Sequence, residues 1–340
     1  MAVTVMQAEG LYPDDSVERE VLGPDVRILQ PVAARLADLP DALCAEVEGL
    51  FVFRQWLDAA DIARFPRLRC VVRMGVGYDR LDRPALAARG VTVCNLPDYG
   101  TTEVADHAIA LALALRRGLL LHHDAQRGDA TRQALPAPWE PIDSPLIQRP
   151  SHRVFGVLGL GRIGTAAALR AKAFGWRVVF HDPYRPNGTE LALGLERARR
   201  IEELFAEADA LSLHTPLTTA TRGLVDARLL GLMPPGAVLV NTARGPILDL
   251  DALEAALREG GLAGAGLDVL PQEPPVEPVH PLLAAYRARE PWLAGRLIVT
   301  PHSAFHSPEA LADIRRKSAE TMRDVLIEKL ATNVIRPEES

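Results

Sequence analysis

The fold of this chain is decided by the stretch Val154-Phe155-Gly156-Val157-Leu158-Gly159-Leu160-Gly161-Arg162-Ile163-Gly164. An apolar run with β-branched residues enters Gly159-x-Gly161-x-x-Gly164, and an alanine-rich segment then leads to a second apolar run. This order predicts a strand, a tight turn, a helix and a strand. In such a unit the first glycine permits the turn, the second lets a pyrophosphate approach the backbone, and the third lets the helix lie close to the strand. The stretch therefore predicts a dinucleotide-binding unit with the pyrophosphate at the helix N-terminus.

An acidic residue follows the second apolar run. The sequence distance from the glycine motif to Asp182 is close to the roughly 20 residues after which an acid is expected to bind the adenosine ribose. A carboxylate there hydrogen-bonds the ribose hydroxyls of NAD and repels the 2′-phosphate of NADP. We therefore predict NAD as the cofactor, with Arg185 near enough in the sequence to weaken the preference. The alternative is a doubly wound domain in which the glycines are incidental.

Length and composition indicate a globular protein of two domains. The chain has 340 residues, which is too long for one ordinary hydrophobic core. Of these residues 48% are hydrophobic and 24% are charged, as in globular proteins. The net charge of -6 and the lack of a Lys/Arg run argue against nucleic-acid binding. Neither a signal-peptide pattern nor an apolar run long enough for a bilayer is present, so we expect no membrane association.

The three cysteines indicate a reducing compartment. Cys44, Cys70 and Cys94 are odd in number and belong to no C-x-x-C motif or Cys/His cluster. We predict buried, reduced thiols in a cytoplasmic protein. The histidines show no metal-ligand spacing, so we expect no metal site.

Short apolar runs alternate with helical segments along both halves of the chain. This alternation predicts parallel sheets covered by helices. The predicted strands are residues 3–6, 26–29, 50–53, 70–72 and 91–94 in the first hundred residues, and 210–214, 237–241, 263–268 and 297–300 after the glycine motif. The predicted shorter helices are residues 42–48, 58–65, 84–89, 201–208, 227–232 and 250–259. The fold class is therefore α/β, with two doubly wound parallel-sheet domains.

Between these halves lies a long apolar helix. Residues 101–115 contain neither Gly nor Pro, Thr101 is placed to cap the first turn, and Arg116 suits the C-terminal end of the dipole. A nearly all-apolar helix must be buried on most sides. We expect it to connect the domains and to pack against a second subunit in a homodimer. The proline-rich residues 128–153 predict an extended surface connector.

Polar residues follow the predicted strands of the second half. They are His214-Thr215-Pro216, Asn241-Thr242-Ala243-Arg244-Gly245, Asp268 and His302. In an open α/β sheet the carboxyl ends of the strands line the ligand crevice. We therefore expect these residues to converge on one cleft.

Several motifs in order resemble the NAD-dependent D-isomer-specific 2-hydroxyacid dehydrogenases. These are Gly75-Val76-Gly77-Tyr78-Asp79, the glycine motif, Asn241 to Ile247, Gly266-Leu267-Asp268-Val269 with Glu273-Pro274, and Thr300-Pro301-His302-Ser303-Ala304. Residues 98–107 and 301–305 most resemble the branch related to C-terminal-binding proteins, although Phe305 stands where that branch usually has tryptophan. The resemblance implies a flavodoxin-like substrate-binding domain from residues 1–100 and 305–340, and a Rossmann NAD-binding domain from residues 101–304.

Reduction of a 2-oxo acid needs a group that fixes the carboxylate and polarises the carbonyl, and a group that protonates the oxygen as hydride arrives. Arg244 suits the first task because a guanidinium holds a carboxylate at two points and keeps its charge. His302 suits the second, since histidine titrates near neutral pH. The resemblance implies that Glu273 hydrogen-bonds His302.

The resemblance also implies the remaining contacts. Val76 and Gly77 would offer backbone amides to the substrate carboxylate, and Phe305 would lie near the substrate side chain. Asp268 would bind the nicotinamide carboxamide. The other cofactor contacts would come from Thr101, Arg162, Ile163, His214, Thr215, Pro216, Asn241, Thr242 and Ala243, in addition to Gly159, Gly161, Gly164, Asp182, Arg244 and His302.

Three functions fit these residues. The leading one is NAD-dependent interconversion of a 2-oxo acid and a D-2-hydroxy acid, with the particular acid left open. The second is an NAD(H)-sensing, corepressor-like interaction protein, which keeps the same residues with little turnover. The third, oxidation of formate or phosphite on the same fold, is less favoured by the sequence. Residues 274–297 predict an added loop or short helix near the cleft.

Overall fold

A computed structural model describes residues 3–127 and 139–335. The chain divides into two compact units, Met1–Gly100 with His306–Ser340, and Thr101–Phe305. Each unit contains one parallel sheet, so the predicted α/β class with two parallel-sheet domains is confirmed. Among the described helices, none is both long enough and apolar enough to cross a membrane.

The first unit contains a five-stranded sheet. Its strands are β1 (Val3–Gln7), β2 (Val26–Leu29), β3 (Gly49–Val52), β4 (Cys70–Arg73) and β5 (Thr92–Cys94). They pair in the order β2-β1-β3-β4-β5, every pair parallel. This is the flavodoxin-like order, in which the chain turns back beside β1 and the carboxyl ends of the strands lie along one edge.

Short helices connect these strands: α1 (Ser16–Leu22), α2 (Asp41–Cys44), α3 (Ala59–Ala63) and α4 (Arg83–Ala88). The sequence reasoning missed α1. The helix predicted over residues 42–48 is too long, because the Glu48 amide already donates to the Thr4 carbonyl at 2.8 Å and the chain has joined the sheet. Asp58 and Asp82 cap α3 and α4 by accepting backbone amides.

The second unit contains a seven-stranded sheet. Its strands are β6 (Val154–Leu158), β7 (Arg177–His181), β8 (Glu196–Arg197), β9 (Ala210–Leu213), β10 (Ala237–Asn241), β11 (Leu262–Leu267) and β12 (Leu297–Val299). The order is β12-β11-β10-β9-β6-β7-β8, and all pairs are parallel. The chain runs outward from β6 to β7 and β8, then returns to β9 on its other side. The switch point of the sheet, where ligands bind in such folds, therefore lies after β6.

The α-helices of this unit, in chain order, are α5 (Thr101–Arg116), α6 (Leu119–Arg127), α7 (Arg162–Ala173), α8 (Thr189–Leu193), α9 (Ile201–Glu207), α10 (Ala227–Leu230), α11 (Leu250–Arg258) and α12 (Pro281–Arg287). The predicted connector, residues 128–153, lies partly outside the described residues, and its described part carries a short 3₁₀ helix at Pro150–His152. Residues 274–297 contain α12, and His280 is its N-cap residue, whose imidazole accepts the Leu282 amide at 3.1 Å.

The long helix α5 packs on α7 and on the strands β10 and β11. A Cβ atom at Gly266 would lie 3.0 Å from the Leu111 Cβ, and one at Gly264 would lie 3.1 Å from a Leu115 methyl. The glycines of β11 therefore let the helix lie directly on the sheet. At its C-terminal end the side chain of Arg116, 1% exposed, donates to the carbonyls of Gly236 and Asp209.

After the second unit the chain returns to the first as α13 (Pro308–Arg323), which continues into a π-helical turn, Asp324–Glu328. Ser307 caps α13, and Pro308 occupies its first turn, where a missing amide costs nothing. The Met322 sulfur lies against Gly49 of β3, where a Cβ would be only 2.6 Å away. Arg315 pairs with the buried Glu18 of α1 at 2.7 Å. The C-terminal helix is thus an integral part of the first unit.

Candidate active site

The glycine turn after β6 has the geometry that the sequence predicts. Gly159 has a φ of +91°, a conformation that side chains rarely tolerate. A Cβ atom at Gly164 would lie 2.0 Å from the Gly159 carbonyl oxygen, whereas one at Gly161 would meet nothing within 4 Å. Gly159 and Gly164 are therefore required by the fold, and Gly161 keeps a space open above the turn.

Helix α7 begins in that space. Gly161 is its N-cap residue, and no side chain caps the helix. The amides of Arg162 and Ile163 belong to the first turn, where helical amides have no acceptor within the helix. Together with the positive end of the helix dipole they form a site for an anion.

Asp182 is tied to the glycine turn by backbone hydrogen bonds. Its carboxylate accepts the Leu160 amide at 2.8 Å and the Tyr184 amide at 2.9 Å. Arg185 lies beside it, with its Nε 3.5 Å from a carboxylate oxygen. The side chain of Asp182 is 10% exposed and that of Arg185 is 43% exposed. The Asp182 carboxylate is therefore fixed in place, and the long, more exposed side chain of Arg185 lies beside it.

Three threonine hydroxyls near these motifs have no hydrogen-bond partner among residues 3–127 and 139–335. They belong to Thr101, Thr215 and Thr242, and all three oxygen atoms are buried. Thr101 therefore does not cap α5 through its hydroxyl, contrary to the prediction. A buried unpaired hydroxyl costs free energy, so these three fit a polar ligand that completes their hydrogen bonds. With the open space at Gly161 they fit a bound dinucleotide.

His214 and its neighbours follow β9 next to the glycine turn. The His214 Nε2 is hydrogen-bonded to the Ser212 hydroxyl at 2.8 Å, and burial lowers the pKa of His214 to about 4. The imidazole is therefore neutral near pH 7. Pro216 is exposed. Thr215 lies against the turn, because a Cβ at Gly159 would be 2.9 Å from its methyl.

Arg244 lies in a loop that its own neighbours hold rigid. The Asn241 side chain accepts the Ala243 amide and donates to the Arg244 carbonyl, each at 3.0 Å. The next residue, Gly245, touches the segment after β11, since a Cβ there would be 1.9 Å from the Leu270 carbonyl carbon. Only glycine permits this approach, which brings the arginine loop against the chain that leads to Glu273.

Glu273 and His302 form the closest acid–histidine pair of the site. The His302 Nδ1 lies 2.6 Å from one carboxylate oxygen of Glu273. The other oxygen accepts the Leu270 amide at 2.8 Å. Glu273 is thus anchored on one side and holds the imidazole on the other, which leaves the Nε2 of His302 to exchange a proton with a ligand.

Asp268 has more contacts than the sequence reasoning foresaw. Its carboxylate, 1% exposed, accepts the amides of Ser303 at 2.9 Å and Ala304 at 3.0 Å, and the Thr300 hydroxyl at 2.6 Å. The Asp268 carbonyl also accepts the His302 amide at 2.8 Å. Asp268 therefore holds the loop that carries His302, whatever it binds in addition.

Phe305 and the loop with Val76 and Gly77 are the remaining residues that were predicted to bind substrate, and each is described within its own unit. The Phe305 ring meets the His302 ring edge to face, with the centroids 6.3 Å apart. Val76 and Gly77 belong to the first unit, in the loop after β4, where the Asn95 side chain donates to the Val76 carbonyl at 2.7 Å. That hydrogen bond holds the loop through its Val76 carbonyl.

Sequence reasoning gave no role to Gly245, Thr300 or His107. Gly245 and Thr300 lie inside sequence motifs, but their packing and hydrogen bonds depend on chain segments far away in the sequence. His107 offered one signal, because it directly precedes the apolar run of α5, residues 108–115. Its Nε2 lies 3.1 Å from the Thr300 hydroxyl.

Comparison with known proteins gives one family for this arrangement. The family model described as "D-isomer specific 2-hydroxyacid dehydrogenase, NAD binding domain" matches residues 109–304. That range contains the glycine turn, Asp182, Arg244, Glu273 and His302.

Two similar curated proteins are both named glyoxylate reductase. The one from Korarchaeum cryptofilum is 36% identical over 269 residues, which cover 78% of this chain and 75% of the relative. The one from Aeropyrum pernix is 36% identical over 283 residues, which cover 83% of this chain and 80% of the relative.

Solved structures are similar over nearly the whole chain. A D-lactate dehydrogenase from Aquifex aeolicus, in complex with NAD and lactic acid, has a TM-score of 0.79, 25% identity and 98% coverage of both chains. An NADPH-dependent glyoxylate/hydroxypyruvate reductase from Sinorhizobium meliloti, in complex with NADP and malonate, has a TM-score of 0.79 and 28% identity, with 98% of this chain and 97% of that chain covered.

Proposed function

This chain belongs to the D-isomer-specific 2-hydroxyacid dehydrogenase family, and we propose that its substrate is a short 2-oxo acid of the glyoxylate type. It is an NAD-dependent oxidoreductase that interconverts a 2-oxo acid and a D-2-hydroxy acid by hydride transfer. The names of the two curated relatives support glyoxylate. The single observation that carries the proposal within this chain is the Glu273–His302 pair beside the Arg244 loop.

The proposed roles follow from the contacts. NAD, when bound, accepts or supplies the hydride. His302 protonates the substrate oxygen through Nε2 during reduction and takes the proton back during oxidation, while Glu273 holds Nδ1. Arg244 binds the carboxylate and polarises the carbonyl, because its charge is permanent and its fork matches two oxygens. Val76, Gly77 and Phe305 are proposed substrate contacts on the family resemblance.

The cofactor residues are proposed from the same geometry. The pyrophosphate would lie on the amides of Arg162 and Ile163, above Gly161. The unpartnered hydroxyls of Thr215 and Thr242 support cofactor contacts for the loops that contain them. We propose that Asp182 binds the ribose hydroxyls, and that Arg185, 3.5 Å from it, lets NADPH bind more weakly than NADH instead of excluding it.

Turnover with a panel of 2-oxo acids tests the substrate proposal. Glyoxylate, pyruvate, hydroxypyruvate, 2-oxobutyrate and phenylpyruvate would each be offered with NADH and with NADPH. We expect the highest kcat/KM for glyoxylate or hydroxypyruvate with NADH. A preference for phenylpyruvate would contradict the proposed small substrate, and equal use of NADPH would contradict the role of Asp182. Asp182→Ala should narrow the NADH preference in the same assay.

The corepressor-like alternative is not favoured, because the curated relatives are named for a reductase activity. The finer resemblance to the branch of the C-terminal-binding proteins stays a prediction. Measured turnover is what separates the two functions, since a cofactor sensor binds NADH without rapid oxidation. Formate and phosphite belong in the panel as controls for the third alternative.

Assembly and location complete the proposal. We propose a homodimer formed around α6, which follows α5, since no residue of α6 is fully buried and Leu119 is 56% exposed. Light scattering should give twice the chain mass of 36.9 kDa, and a value near 36.9 kDa at micromolar concentration would contradict it. Three buried, free cysteines support a cytoplasmic location.

A further inference from the structure

A chain of hydrogen bonds runs from helix α5 to the loop that carries His302. The His107 Nε2 lies 3.1 Å from the Thr300 hydroxyl oxygen, and that hydroxyl lies 2.6 Å from an Asp268 carboxylate oxygen. The His107 Nε2 is 3.8 Å from the same carboxylate oxygen. All three residues belong to the second unit.

The direction of these hydrogen bonds follows from the groups. A carboxylate without a proton can only accept, so the Thr300 hydroxyl donates to Asp268. The threonine oxygen then accepts from His107, which must carry its proton on Nε2. The helix thus orients the hydroxyl, and the hydroxyl occupies one side of the carboxylate.

The Asp268 carboxylate also fixes the backbone of the residues that follow His302. It accepts the amides of Ser303 and Ala304, and the Asp268 carbonyl accepts the amide of His302 itself. His302 has a φ of +52°, a conformation that costs free energy for a residue with a side chain and persists only where its surroundings enforce it. Asp268 and the groups hydrogen-bonded to it hold His302 in this conformation.

We propose that His107 is a positioning residue, which acts through Thr300 and Asp268 to hold the His302 loop in the conformation that aims Nε2 at the substrate. This inference rests on the proposed role of His302 as the acid and base. His107 itself would touch no reacting atom. Its effect would fall mainly on the rate of hydride transfer and only slightly on cofactor binding.

Matched variants separate positioning from general stability. His107→Leu removes the donor, His107→Gln keeps an N–H group near the position of Nε2, and Thr300→Val removes the hydroxyl at constant shape. His152→Leu is the control, because His152 is exposed and lies outside the site. Single-turnover hydride transfer, the dissociation constant of NADH and amide hydrogen exchange of residues 300–305 would be measured for each.

We expect His107→Leu and Thr300→Val to slow hydride transfer by about 10-fold or more, since small misplacement of a catalytic group is costly. The dissociation constant of NADH should stay within about twofold of wild type, given that an interaction confined to the transition state leaves ground-state binding unchanged. Exchange of the Ser303 and Ala304 amides should become roughly 5-fold faster, as expected for the loss of one hydrogen bond. His107→Gln should restore most of the rate. The double variant His107→Leu/Thr300→Val should transfer hydride only slightly more slowly than Thr300→Val, because both changes break the same chain of hydrogen bonds.

His302→Ala, measured alongside, distinguishes the two levels of the proposal. If the wild type turns over but His302→Ala does so equally well, the proposed role of His302 is wrong. If His302 is required and His107→Leu matches His152→Leu in both rate and exchange, the positioning role of His107 is wrong. A His107→Gln variant as slow as His107→Leu would also overturn it.

Discussion

Two regions of the second unit differ in how their polar groups are satisfied. The glycine region, which consists of Gly159, Gly161, Gly164, Thr215 and Thr242, has an open space and two buried hydroxyls with no partner among the described residues. The histidine region consists of Asp268, Glu273, Thr300 and His302. There each carboxylate accepts backbone amides, and the two acids hold the hydroxyl and the imidazole.

The contrast indicates two different tasks. Unmet hydrogen bonds in a buried place cost free energy, so the glycine region gains stability when a ligand supplies the missing partners. In the histidine region both carboxylates are already held by protein groups, which is what pre-organised acid–base chemistry requires. Changes in the first region should therefore act on NADH binding, and changes in the second on turnover.

The largest effect is expected for His302→Ala. Loss of the acid–base group should lower kcat for reduction of the 2-oxo acid by roughly 10²- to 10⁴-fold. The dissociation constant of NADH, measured by fluorescence titration, should change far less than kcat, because most of the proposed cofactor contacts lie in the glycine region and at Asp182. A parallel loss of NADH binding would break the separation between the regions.

A pair of glycine variants tests the other region. Gly161→Ala should weaken NADH binding by on the order of 100-fold, since the added methyl fills the space that the pyrophosphate needs. The melting temperature without ligand should fall by less than about 3 °C, because the methyl meets no protein atom within 4 Å.

Gly164→Ala is the matched comparison. Its methyl would lie 2.0 Å from the Gly159 carbonyl oxygen, so the unliganded protein should itself lose about 1 to 3 kcal/mol of unfolding free energy. Calorimetry measures the stability of both variants, and titration measures their affinity for NADH. Equal stability of the two variants would show that the glycine turn tolerates a movement that its packing does not indicate.

The pH dependence of stability isolates His214 beside the turn. Burial lowers its pKa from 6.5 to about 4, so the unfolded chain binds the proton more readily than the folded one. The stabilisation is complete above pH 6.5 and is lost as the pH falls toward 4, with about 2 kcal/mol lost at pH 5. His214→Gln does not titrate and should lose less stability between pH 7.5 and pH 5 in denaturant unfolding. An identical loss in both proteins would mean that other groups cause it.

The smallest effect is expected for Thr242→Val. The substitution removes a buried hydroxyl that has no partner in the described parts of the chain, at nearly constant shape, so stability without ligand should rise by up to about 1 kcal/mol. NADH affinity should fall by up to about 10-fold if the cofactor supplies the missing partner. Unchanged affinity would leave Thr242 outside the cofactor site.

The sequence was sufficient for the parts that depend on local pattern. The turn at Gly159, the strands β2 and β10 with their ends, and the start of α5 at Thr101 all follow from residues within a few positions of one another. The predicted role of Glu273 came from family resemblance, and its hydrogen bond to His302 is present in the structure.

Contacts between distant segments were beyond the sequence. Nothing near Gly245 indicates that Leu270 will lie against it, and nothing near Asp268 indicates that it will hold the amides of Ser303 and Ala304. The helix predicted to end at Glu48 is short for the same reason, because its last residues pair with the sheet through Thr4. Tertiary hydrogen bonds override the local helix propensity of these residues.

The packing of α5 on β10 and β11 has a consequence for synthesis of the protein in the cell. The helix ends at Arg116, but the strands that cover its apolar face are complete only at Leu267. At a translation rate of about 5–20 residues per second, that face waits roughly 8 to 30 s for its partners to leave the ribosome. During this interval the nascent chain displays Leu111 and Leu115 without their glycine-lined surface, so the helix is the segment on which chaperone engagement and aggregation are expected to act first.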